Sequence, residues 1–157
     1  MPDYWNVFLA RYSLGVADPD MPGTRYHTVL FVETGVDRSG LLHQVTGDIT
    51  SDSGMCYTPQ PSEFPEHSES NISCERLGFT PVSKHPGHWE RVLGAVPPPP
   101  KQKHFNPETK TTEPFKTRLP MTFYAPGEPR RPLIKCTEWT LERAIPALKQ
   151  YGLIIQL

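Results

Sequence analysis

The sequence predicts an α+β fold in which an antiparallel β-sheet packs against a C-terminal helix that opens at Cys136. Three observations carry that expectation. The stretch RYHTVLFVETGVDRSGLLHQVTGD, residues 25–48, sets two runs of β-branched, aromatic and apolar residues around a Gly- and Asp-containing turn, as a hairpin requires. CTEWTLERAIPALKQYG, residues 136–152, repeats its apolar and small residues at three- and four-residue spacing, as one buried helix face requires. The 19 prolines gather in the middle and late chain, so they mark loops and leave the periodic segments intact. A chain of 157 residues is long enough to bury a core and suits a single domain over 1–157.

The elements follow in order. WNVFLARYSL alternates well enough for a first strand, and GVADPDMPGT after it is a turn cluster. YHTVLFVET and LLHQVTGDI form the hairpin. GMCYTPQP and ISCERLGFTPV are weaker strand candidates, separated by SEFPEHSESN, which reads as an exposed loop. HWERVLGAV is ambiguous between a short helix and a strand, and its nine residues followed by Pro97 to Pro100 favour the strand. The stretch from 97 to 132 is rich in turn formers and reads as one long irregular connection, a lid or a disordered insertion. In the last helix Glu138 sits in the first turn and Gly152 follows as a stop. Pro146, lacking an N–H and clashing with the carbonyl four residues back, is expected to bend or split that helix near Glu142. LIIQL is a last strand or a strip packed on the core.

Composition excludes several function classes. A net charge of −1 offers no footprint for nucleic acid or an anionic membrane surface. No window approaches a membrane span and the N-terminus lacks the pattern of a secretory signal, so a cytoplasmic location is the expectation. Cys56, Cys74 and Cys136 are odd in number and not closely spaced, which argues against a disulfide framework and against a thiolate zinc site. Cys56 and Cys74 read as small buried hydrophobes. His85 and His88 in KHPGHWE have no companion ligands and read as a surface loop, so neither metal nor cofactor is expected.

A cysteine at the first position of a helix sits where unpaired N–H groups and the positive end of the dipole stabilise a thiolate, which makes Cys136 the candidate nucleophile. Thiolates attack carbonyl carbon when a histidine takes the proton and a third group holds that histidine. The hairpin carries one histidine on each arm. If Val29 and Phe31 share the face of His27, then Thr28, Leu30 and Val32 pack on the other, and His43 is expected beside His27 at cross-strand distance.

YHTVLFVE, LLHQVTG and KCTEWTLERAIPALKQYGLI together resemble the circularly permuted papain-like fold of the lecithin:retinol acyltransferase type within the NlpC superfamily. The resemblance rests on the order His, His, Cys, met by His27, His43 and Cys136. It implies Cys136 as nucleophile, His27 as base and later acid, His43 as the group that orients His27, and the Cys136 N–H as part of an oxyanion hole. The chain departs from that pattern at Thr28, where Trp is usual, and at Lys135, where Asn is usual, and it has no apolar C-terminal tail; lipid substrates are therefore not expected. The chain is also similar to small fungal proteins with an H…GxxHxVTG…CxEWTL pattern, a likeness that points towards specialised metabolism.

The expected substrate is a small or peptide-like molecule with an acyl or amide carbonyl, hydrolysed or transferred through Cys136. Arg25, Arg130 and Arg131 are candidate contacts for an anionic substrate, with ordinary exposed charge as the alternative. Trp139 is a candidate substrate contact, with a place in the core as the alternative. Two other functions stay open: a cyclase or isomerase using His27 alone, and a binding module presenting the Pro-rich segment to a protein partner.

Overall fold

The computed structural model describes residues 2–156. It has the α+β content expected, with antiparallel sheets and a C-terminal helix. A five-stranded sheet runs in the order β6-β3-β2-β1-β7, built from β1 (Tyr4–Ser13), β2 (Tyr26–Glu33), β3 (Gly40–His43), β6 (Gln60–Ser62) and β7 (Asn71–Pro81). Its pairings are all antiparallel. β4 (Val45–Gly47) and β5 (Met55–Tyr57) form a separate hairpin. Leu157, the last residue of LIIQL, lies outside the described residues; within the rest, Ile155 joins the main sheet by one bridge to Phe79. A Cβ at Gly78 would stand 2.1 Å from the Ile155 carbonyl oxygen, so only glycine admits that approach.

The central strands β1 and β2 are covered on both faces, which is why Val29 to Val32 form an unbroken apolar run. Val7, Leu9, Leu30 and Val32 face the helices and pack with Trp89, Trp139 and Leu148. Phe8 and Phe31 face the other way against Phe64. Phe64 and Pro65 belong to the stretch expected to be an exposed loop; that loop instead turns inward to cover the second face.

HWERVLGAV is a helix, α1 (Gly87–Ala95), and not a strand. Trp89 and Leu93 lie one turn apart on its buried side, with Val92 and Val96 packed beside them, a three-and-four spacing that the short length disguised. The Trp89 indole donates to Thr80 Oγ1 at 2.9 Å and ties the helix to β7.

The segment expected to be irregular from 97 to 132 contains three strands, β8 (Lys103–Asn106), β9 (Thr111–Thr117) and β10 (Thr122–Phe123), paired as a small antiparallel sheet. Its strands are short and polar, and the single buried apolar side chain among them is Phe115, so no hydrophobic alternation announces them. Of the four prolines before it, Pro97 and Pro100 are exposed, but Pro99 is buried, its carbonyl accepts the Met55 N–H at 2.9 Å, and a Cβ at Gly54 would lie 2.6 Å from that oxygen. One face of the run is therefore already occupied by this chain.

The C-terminal helix runs unbroken through Cys136–Glu138, Trp139–Ala144 and Ile145–Gln150. The middle stretch is π-helical, with the Ile145 N–H bonded to the Thr140 carbonyl. Widening the ladder just before Pro146 accommodates a residue with no N–H to give, so the helix expands where a split was expected.

Candidate active site

The site assembles at the seam between β2 and the start of the C-terminal helix. Three threonines fasten that seam. Thr28 and Thr137 share a hydroxyl bond of 2.9 Å, Thr137 Oγ1 donates to the Tyr26 carbonyl at 3.3 Å, and Thr140 Oγ1 donates to the Thr28 carbonyl at 3.1 Å. Glu138 supplies a further clamp. Its carboxylate accepts the Lys135 N–H at 2.8 Å, capping the helix, and receives both ends of the Arg25 guanidinium at 2.8 and 2.9 Å. Strand and helix are thereby fixed to each other one residue before Cys136.

Cys136 is buried at the helix start, and its thiol donates to the Tyr26 carbonyl at 3.8 Å. Burial pushes the thiol pKa up, but the His27 imidazole, the Thr28 N–H and the Thr137 hydroxyl outweigh it and hold the thiol below its usual value. His27 is shifted the other way. The Cys136 sulfur raises its pKa most, against the opposing effect of burial, and Gln44 adds to the rise. The two shifts have opposite signs, and both favour passage of the proton from the Cys136 thiol to the His27 imidazole.

The third member is Gln44. Its Oε1 lies 2.8 Å from His27 Nε2, and its own Nε2 donates to Gln60 Oε1 at 3.1 Å. The amide oxygen can only accept, so His27 carries a hydrogen on Nε2, which leaves Nδ1 as the nitrogen free to exchange a proton. Gln44 is buried, which holds this arrangement away from competing water.

His43 does not orient His27. β3 pairs with β2 so that His43 stands opposite Leu30, on the face that packs against the helices. That register leaves Gln44, the next residue, on the His27 side. Both His43 nitrogens are engaged elsewhere: Nδ1 lies 2.6 Å from Tyr57 Oη, and Nε2 lies 2.8 Å from His85 Nε2. Desolvation holds both imidazoles neutral, His43 well below its usual pKa and His85 at about 4. His85 is thus buried beside His43, and not part of a surface loop.

The remaining candidates separate. Arg25 is at the site, but its guanidinium is spent on Glu138. Trp139 is fully buried and stacks on Tyr57, so it is core and contacts no cleft. Arg131 bonds Tyr124 Oη and the carbonyls of Phe115 and Lys116, and Arg130 is exposed beside Tyr124; both follow the small sheet in the chain and do not line the cleft. Cys56 is exposed and Cys74 half-buried, where both were expected inside. Cys56 points outward from the narrow β4–β5 hairpin, which has little interior.

A cavity of about 230 Å³ opens beside Cys136 and His27. Leu14 from the β1–β2 connection, Ile49 and Met55 from the β4–β5 hairpin, and Lys135 at the helix start line it. Sequence reasoning missed Lys135 as an architectural residue: its ammonium binds Asp18 at 2.8 Å and Asp20 at 3.0 Å, while Lys103 from β8 binds Asp20 at 2.7 Å. These pairs fasten the β1–β2 connection over the helix end. Among the described residues no group of three or more His, Cys, Asp or Glu side chains is arranged to hold a metal ion, and no helix is long and apolar enough to cross a membrane.

No curated protein and no solved structure matches the chain. A family model described as "Family of unknown function (DUF6540)" matches residues 7–155. A match over nearly the full length places this chain in the DUF6540 family.

Proposed function

We propose that this chain is a thiol-dependent enzyme of permuted papain-like architecture that hydrolyses or transfers an acyl or amide group of a small or peptide-like substrate. One observation carries the reading: His27 stands between the Cys136 thiol and the Gln44 amide, with its Nε2 hydrogen committed to Gln44. A cysteine, a histidine and a side-chain amide form a known functional variant of the catalytic triad. Gln44 replaces the histidine that the resemblance would place in the third position.

In this reading the Cys136 thiolate adds to the carbonyl carbon, and the resulting oxyanion is held by the Cys136 N–H at the helix start. Collapse breaks the bond to the leaving alcohol or amine, which takes the proton from His27 Nδ1 and departs. Water or an amine then attacks the thioester, His27 removes its proton, and Cys136 leaves as thiolate. Gln44 accepts the same hydrogen bond throughout, so His27 changes protonation without changing orientation.

The test is a matched pair of variants assayed on simple activated esters. Cys136→Ala should lose turnover by about a thousandfold or more while remaining folded, and so should His27→Ala. Full turnover in Cys136→Ala would remove the covalent mechanism and favour acid–base chemistry by His27 alone.

A further inference from the structure

Resting on that reading, we infer that the Cys136 cleft takes an uncharged, apolar group of about one side chain in size on the acyl side of the scissile bond, and rejects anionic acyl groups. The size follows from the volume. At about 230 Å³ the cavity exceeds the roughly 150 Å³ that holds a benzene ring but falls short of the roughly 300–1,000 Å³ of sites that enclose a whole small ligand. One substituent enters and the rest of the substrate lies outside.

The polarity follows from which charges are free. The cleft's apolar wall is Leu14, Ile49 and Met55. Its two cations are both neutralised from within the chain: Arg25 is held at both ends by Glu138, and Lys135 is held between Asp18 and Asp20. Neither can turn to a substrate carboxylate without abandoning a half-buried partner. The carboxylates are in excess. Asp48, at the rim, accepts only the N–H groups of Thr50 and Ser51 in its own turn, at 2.7 and 3.0 Å, and no cation pairs with it among the described residues. Proton exchange between Cys136 and His27 leaves this balance unchanged. A carboxylate on the substrate therefore meets an apolar wall and a net negative rim.

Two alkylating probes of equal length test this on the full chain: N-propyl iodoacetamide and N-(2-carboxyethyl) iodoacetamide. With either, the thiolate displaces iodide and forms one C–S bond. Peptide mass spectrometry reads Cys136 against the exposed Cys56 of the same molecule as an internal reference. Relative to Cys56, Cys136 is expected to react about tenfold faster with the propyl probe than with the carboxyethyl probe. Asp48→Asn, which keeps the acceptor of the turn, should narrow that gap to about threefold. Equal ratios for the two probes, or a gap unchanged in Asp48→Asn, would overturn the inference. Plain iodoacetamide separates the two failures. If it labels Cys136 ahead of Cys56 while the larger probes show no preference, only the acyl-group inference falls; if it leaves Cys136 unmodified, the nucleophile reading falls with it.

Discussion

Gln44 has two hydrogen-bonding ends and uses both, its oxygen on His27 and its NH2 on Gln60. This holds the imidazole by its Nε2 side. Removing the amide in Gln44→Ala frees the ring to rotate, and kcat is expected to fall about 100-fold with little change in KM, the cost typical of a misplaced catalytic group. Gln44→Glu keeps the acceptor and adds a charge, so it should retain most turnover and shift the His27 limb of the pH–rate profile upward. A profile that does not move in Gln44→Glu would contradict the positioning role. His27 and Cys136 were legible from residue type and order, because a helix-opening cysteine and a strand histidine announce themselves. Gln44 was not, because choosing between adjacent residues on a strand requires the register, and a shift of one residue exchanges the faces.

At the scale of elements, the start of the C-terminal helix is held by one carboxylate that does two jobs. Glu138 caps the Lys135 N–H and anchors Arg25, and both side chains are largely buried, at 18% and 16% exposed. Glu138→Ala is expected to cost roughly 2–4 kcal/mol, combining a lost cap with an unpaired guanidinium, read as a lower urea midpoint. Leu148→Ala, on the fully buried face of the same helix, should cost about 2–5 kcal/mol by the cavity it leaves. The helix and the β2–β3 hairpin were legible because their apolar residues repeat at a clean period. α1 was not, since nine residues hold barely two turns of its stripe and Pro97 to Pro100 follow at once. β8 to β10 were not, since Thr, Lys and Glu line most of their positions and backbone pairing alone defines them. The effect of Pro146 was legible in place but not in kind: sequence locates the missing N–H, while the packing of Trp139, Ala144 and Leu148 decides that the helix widens and continues.

Across the whole molecule, the buried His43–His85 pair makes stability depend on pH. Both imidazoles have lower pKa values folded than the 6.5 of an unfolded chain, His85 at about 4. Between those values the unfolded state binds more protons, so stability is full above about pH 6.5 and declines as the pH falls. His85 alone should contribute about 3 kcal/mol of loss by pH 4, since its pKa falls from 6.5 to about 4 on folding. Thermal unfolding followed from pH 8 to pH 4 should show this decline, and His85→Gln should flatten it. The same depression keeps the pair out of the chemistry, since neutral, desolvated rings in the core neither reach the cleft nor exchange protons with it. The whole reading turns on whether Cys136 is an activated thiolate maintained by His27. The most direct measurement is the pH dependence of Cys136 alkylation by iodoacetamide, resolved by peptide mass spectrometry, in the native chain and in His27→Ala. Reactivity that persists well below the free-cysteine pKa of about 8.5 and moves up to that value in His27→Ala is the expected result. A Cys136 that titrates like a free thiol in both proteins, or that does not react in either, would contradict it.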